Sequence, residues 1–196
     1  GGFAFGLAST KTKRLSYVTA PDFITGQRKG NWTHLAGTYD GHSILLYVNG
    51  EKIGCDEVQS GDIHYKTSPL TIGGRSKAGS THTVGTQGEY DEIRIWNVAK
   101  NAEEIKANMH KTLTKPFPSS LVAYYRMDGQ DTTSSTVCAE TTGWSGTIHG
   151  VVEWLDSAAP VEMLEKTTRC HGPVPDAPPL ITSTEPPVAT PTPIPQ

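Results

Sequence analysis

Two dipeptides, Asp40-Gly41 and Asn49-Gly50, constrain this chain more than any other feature. Each lies between runs of strand-forming residues, and Asx-Gly in that setting is a strong hairpin signal because glycine reaches positive φ without a Cβ clash. The run before the first turn carries Trp32, Leu35, Thr38 and Tyr39. The run between the turns places Ile44, Leu46 and Val48 on one face and Leu45, Tyr47 and Asn49 on the other, the period of a strand. Lys52-Ile53 returns after the second turn. Further along, Leu70-Thr71-Ile72 is a short strand stopped by Gly73-Gly74, and Ile93 and Ile95 alternate with Arg94 and Trp96. Short strands with repeated turn signals predict an all-β antiparallel sandwich.

Upstream, Phe3, Phe5 and Leu7 alternate with small residues, and Leu15–Thr19 is another strand behind the basic turn Lys11-Thr12-Lys13-Arg14. Residues 54–69 and 74–89 read as loops. Residues 99–110 read as a helix, with Asn101 as N-cap, Glu103 and Glu104 in the first turn, and Ala102, Ile105 and Met109 on one face. Leu121–Asp128 opens a further strand, followed by Ser145–Gly150 and Trp154. From Gly172 to Gln196 the chain is rich in proline and threonine, a composition that forms no core and favours an extended, disordered stalk. Its Thr182, Ser183, Thr184, Thr190 and Thr192 are candidates for O-glycosylation.

Net charge is −3 with interspersed signs, which gives no reason to expect a nucleic-acid partner. No apolar run approaches the ~18 residues of a membrane span. Three cysteines, Cys55, Cys138 and Cys170, leave one over in any internal pairing. The preferred pair is Cys138 with Cys170, pinning the C-terminal segment, with Cys55 free or bonded outside the chain; free thiols in a cytosolic protein are the competing reading. Asn31-Trp32-Thr33 is an N-glycosylation sequon. The chain begins inside a strand-like run, Gly1–Leu7, as a fragment of a longer protein would.

The ordered strings W-x-H-x-A-x-T-Y-D-G (Trp32–Gly41), L-Y-V-N-G (Leu46–Gly50), L-x-I-G-G (Leu70–Gly74) and G-x-Y-D-E-I-R-I-W-N (Gly88–Asn97), followed by a short helix, resemble the laminin-G-like jelly roll of the concanavalin A-like lectin/glucanase superfamily. The resemblance spans residues 30 to 110. It implies two antiparallel sheets packed face to face, with the family's first strands missing at the N-terminus. Residues 1–158 are then the jelly roll, 159–171 a connector and 172–196 the linker. Residues 121–158 either close this domain, the favoured reading, or dock onto a neighbour.

The superfold hosts lectins, enzymes and adhesion modules alike. Laminarinase-type relatives carry Glu-x-Asp-x-x-Glu on one strand, the glutamates serving as nucleophile and acid/base. Here Glu89-Tyr90-Asp91 fits the opening, but the second glutamate falls at Arg94, so no catalytic residue is expected. The family's calcium site implies Asp91 and Asp128, with Asp131 close by, as oxygen ligands for Ca2+. The aspartate expected before Gly146 is instead Cys138, and the competing role for Asp91 is a turn cap. Loop positions mark Trp144, Tyr65, His64 and His82 as candidates for glycan contact, whereas Trp32 and Trp96 belong to strands and the core. The expected function is a non-catalytic, extracellular or cell-surface module that recognises glycans or extracellular glycoproteins, with calcium a candidate cofactor. The alternative is a structural or adhesion module of a large surface or matrix glycoprotein, contacting other modules of its own or a neighbouring chain.

Overall fold

The computed structural model describes residues 2–20, 30–64, 70–76, 83–85, 88–128, 136–141, 144–150 and 152–161. Eleven strands and one short helix are assigned there, and the molecule is an all-β antiparallel sandwich. Strands β1 (Phe3–Ala8) and β2 (Leu15–Ala20) form one hairpin, paired in register from Phe3 opposite Ala20 to Ala8 opposite Leu15. Strands β3 (Leu35–Tyr39), β4 (Ser43–Val48) and β5 (Glu51–Val58) form a three-stranded sheet through the two Asx-Gly turns. Asn49 and Gly50 adopt φ of 51° and 78°, the left-handed pair that such a turn demands. At the other turn, Asp40 accepts the backbone N–H groups of His42 at 2.8 Å and Ser43 at 2.7 Å.

The two sheets meet through Val18 and Ala20 of β2 and Ile44, Leu46 and Val48 of β4, with Phe3, Phe5, Leu7, Tyr39 and Ile53 packed around them. Burying each of the large aliphatic side chains contributes about 1.5–3 kcal/mol relative to exposure. Tyr47, on the opposite face of β4, is also only 4% exposed, so this strand is covered on both sides. The layers approach closely because of small residues. A Cβ at Gly37 would fall 2.2 Å from Cδ2 of Phe5.

The strand expected at Leu70–Ile72 lies slightly later. Leu70 is 70% exposed, and the chain pairs only from β6 (Gly74–Ser76), antiparallel to β7 (Thr83–Gly85). The presumed loop 54–69 is shorter than expected, since β5 continues to Val58 past an irregularity opposite Ile44 and Leu46. Strand β8 (Ile93–Trp96) pairs with β9 (Leu121–Tyr125), and β10 (Thr136–Cys138) with β11 (Ser145–Thr147). Between β8 and β9 runs the helix α1 (Ala102–Asn108), narrower than the predicted 99–110 but capped as expected. Asn101 and Glu104 form a capping box in which each side chain accepts the other's backbone N–H.

Candidate functional site

The Asp91-Glu92-Ile93-Arg94 segment leading into β8 is the point at which three parts of the molecule converge. Glu92 stands just ahead of β8 in the left-handed conformation, φ 53°, and the Arg94 Nη2 lies 2.5 Å from its Oε2. The β8–β9 register places Tyr124 directly opposite Arg94. The guanidinium stands 5.4 Å from the Tyr124 ring centroid, and the Tyr124 hydroxyl donates to Glu92 at 2.7 Å. The same hydroxyl accepts the Leu113 N–H at 3.2 Å, and Phe117 meets the Tyr124 ring edge-on at 5.7 Å. Burial and then the Glu92 carboxylate push the Tyr124 phenol well above its usual range, so it stays a protonated donor.

Arg94 also reaches the helix. Its Nη1 donates to the Asn108 carbonyl at 3.0 Å, and Nη2 to the Lys111 carbonyl. A cation here satisfies carbonyls at the C-terminal end of α1 that have no partner within the helix. Asp91 serves a third element: Oδ1 accepts the Glu92 N–H at 2.8 Å, and Oδ2 accepts the Ser157 hydroxyl. Ser157 in turn accepts the Ala159 N–H at 3.1 Å. His110 donates through Nδ1 to the Pro160 carbonyl at 2.8 Å. The four-residue motif thus binds β9, α1 and the segment around residue 157 together.

For hydrolysis, this arrangement offers a guanidinium where a laminarinase-type site needs its second carboxylate. Arg94 is only 12% exposed, with Nη1 and Nη2 held in the clamp and its buried Nε without a partner among the described residues, and Glu89 is exposed. Of the three candidate calcium ligands, Asp91 is occupied as described, in the capping role weighed for it. Asp128 is ion-paired with Arg126 at 2.5 Å, and Asp131 lies outside the described residues. Among the described residues, no group of three His, Cys, Asp or Glu side chains is placed to hold a metal.

The aromatic candidates separate. Trp144 is 46% exposed and stands just before β11, open to a ligand. His64 is exposed, with its N–H donated to the Ala8 carbonyl at 2.7 Å. Tyr65 and His82 lie outside the described residues. Trp96 is half-buried in β8, with the Lys100 ammonium 4.5 Å from its ring. Trp32 is likewise half-buried. Cys138 on β10 is disulfide-bonded; the Cys55 side chain and Cys170, between which its partner would be chosen, lie outside the described residues. The same holds for Thr182, Ser183, Thr184, Thr190 and Thr192. Asn31 of the sequon is exposed, just ahead of β3.

Comparison with known proteins adds a family assignment. A laminin G family model described as concanavalin A-like lectin/glucanases superfamily matches residues 1–106. The chain belongs to this superfamily. It is similar to Pappalysin-1 of Mus musculus, 34% identical over 117 residues, covering 58% of this chain and 7% of that protein. Pappalysin-1 of Homo sapiens is 34% identical over 103 residues, covering 52% of this chain and 6% of that one. The chain therefore spans less than a tenth of the length of these curated relatives. Among solved structures, residues 221-444 of an S-layer domain-containing protein from Clostridium thermocellum align at TM-score 0.36 and 25% identity, over 55% of this chain and 51% of that one.

Within a laminin-G-like domain, the clamp explains residues that the family motif leaves without a role. Glu92 and Tyr124 escaped the sequence reading. The i,i+2 spacing of Glu92 and Arg94 was a visible sign of a same-face ion pair, but Tyr124 becomes their partner only through the β8–β9 register, 30 residues apart in sequence. Among the described residues, no helix is long and apolar enough to cross a membrane.

Proposed function

We propose that this laminin-G-like domain is a non-catalytic recognition module acting outside the cell or at its surface, with glycans or glycoproteins as its ligands. The observation that carries the reading is Arg94. It occupies the position of a catalytic glutamate and is committed to Glu92, Tyr124 and the end of α1. A residue held this way organises the scaffold and has no lone pair to offer as nucleophile or base. Trp144, half exposed beside a hairpin edge, supplies an aromatic surface of the kind that stacks on sugar rings. The sequon at Asn31, the Pro/Thr-rich segment and the disulfide at Cys138 fit an oxidising, extracellular setting. The test is a glycan array probed with and without calcium: specific binding that falls on Trp144→Ala supports the reading, and silence under both conditions contradicts it.

A second reading, a structural or adhesion module of a surface or matrix glycoprotein, is favoured by the exposed apolar residues Leu70, Ile72 and Tyr90, with Tyr90 laid against Gly73. Self-association that disappears in Leu70→Ser/Tyr90→Ser would favour it. A monomer at high concentration would count against it.

A further inference from the structure

Helix α1 stands between two sheets. On one side it lies against the Asn49-Gly50 turn that joins β4 to β5. A Cβ at Gly50 would fall 3.1 Å from the Met109 sulfur and 3.2 Å from the Lys106 Cβ, so a glycine at this turn lets the helix approach. On the other side, Arg94 of β8 donates to the Asn108 and Lys111 carbonyls. At seven residues the helix is too short to persist without such contacts.

His34 joins the two sides. It precedes β3 and is tied to the turn: its N–H donates to Asn49 Oδ1, and its carbonyl accepts the Asn49 N–H, both at 2.9 Å. Its Nδ1 is buried and has no partner among the described residues, and the same is true of Arg94 Nε. A neutral imidazole can leave Nδ1 as a bare lone pair, whereas an imidazolium makes both ring nitrogens donors. Protonation thus creates a second buried N–H without an acceptor, on a ring that already feels the Arg94 and His110 charges. No compensating charge is at hand. The Glu92 carboxylate already accepts from Arg94, Tyr124 and Thr112. Tyr124 stays a neutral phenol. Lys106 on α1, Lys111 beyond it, and Glu51 and Lys52 on β5 are all exposed, where water screens them.

We infer that His34 is an acid-operated release for helix α1: protonation of its ring parts the helix from the Asn49-Gly50 turn and from Arg94 while the β1–β5 core stays folded. The closed form excludes the proton and the open form, with the ring in water, accepts it, so falling pH favours opening. Opening begins as pH falls below about 6.5, where a solvated histidine titrates. It stays local because the core of Val18, Ala20, Ile44, Leu46 and Val48 shares no residue with the junction. Ile105, buried at neutral pH, and Met109 then reach solvent, so the acid form presents an apolar helix face that the neutral form covers. The device does not depend on which ligand the domain binds.

The test is amide hydrogen exchange of the full chain, read by mass spectrometry at about pH 7.5 and about pH 5, with labelling times scaled for the intrinsic effect of pH on exchange. Peptides spanning residues 99–111 should lose protection roughly tenfold at the lower pH, the effect of about one pH unit of linked protonation. Peptides from β4 should not change. His34→Gln, which cannot take up the proton, should keep residues 99–111 protected at both values. His110→Gln removes one of the charges that oppose protonation and should move the opening to higher pH. A second reading needs no variant: in an NMR titration of the unaltered chain, the Gly50, Asn108 and Lys111 amides should shift with the midpoint of the His34 ring. Protection of residues 99–111 that is unchanged between the two pH values, lost equally in His34→Gln, or lost only together with β4 overturns the inference, as do amide shifts that do not follow His34.

Discussion

Arg94 shows how much a single side chain can settle. The guanidinium and the Glu92 carboxylate are 12% and 10% exposed, and removing one member of such a pair leaves the other charged in a poorly solvated place. Arg94→Met is expected to cost about 3 kcal/mol, read from urea denaturation, because breaking a buried pair is worse than never having built it. Tyr124→Phe deprives Glu92 and the Leu113 N–H of a partner and should cost about 1–3 kcal/mol. His34 carries a different prediction. Burial, then the nearby Arg94 and His110 charges, hold its imidazole below the ordinary value. Its buried Nδ1 has no partner among the described residues. The folded state therefore binds a proton less readily than the unfolded state. Stability should be level at high pH and should decline as pH falls through about 6.5, the ordinary histidine range. His34→Gln should flatten that part of a stability profile taken from pH 8 to pH 5. The sequence announced Arg94 as a missing glutamate, but not as a clamp, because its partners come from β9 and the end of α1.

At the scale of elements, the hairpins were legible and the helix nearly so. Asp40-Gly41 and Asn49-Gly50 dictate their turns locally, and alternation put Ile44, Leu46 and Val48 on one face, which the structure turns toward the core. What alternation could not show was that Tyr47 would be buried as well, since covering the second face depends on neighbours distant in sequence. The Leu70–Ile72 strand was misplaced by a few residues for a related reason: β-propensity reflects packing on a sheet, and Leu70 finds none. Helix α1, at seven residues, is too short to persist alone and depends on its cap and on Arg94. Asn101→Ala should destabilise the domain by about 1 kcal/mol through loss of the capping box. Sheet-to-sheet contact gives a sharper test. Gly37→Ala puts a methyl against the Phe5 ring, whose nearest atoms would be at 2.2–2.6 Å, and should cost about 1–3 kcal/mol by overpacking. Phe5→Leu in the same background should restore part of that loss.

Across the whole molecule, the superfamily's sandwich supplies a rigid platform, and the candidate ligand-facing residues lie at its edges. The family was readable because its motif strings occur in order along the chain, and the same order explains why chemistry was harder to read. The residues that make the motifs recognisable, Asp91, Glu92 and Arg94 among them, are those that bind the elements together. Surface positions such as Trp144 and the Lys11–Arg14 turn carry little pattern in sequence. The sequence marks them as a loop aromatic and a basic turn, and the structure adds their exposure. The central claim is that this fold recognises and does not cut. Arg94→Glu, which restores the hydrolase pattern of carboxylates, should therefore weaken the fold without creating activity. The most direct measurement is to incubate the full chain with a panel of β-glucans and acidic polysaccharides and to follow retained complex and new reducing ends in the same samples. Retention with no reducing ends above the blank is the predicted result. Turnover of any glucan that is abolished by Glu89→Gln would contradict the account.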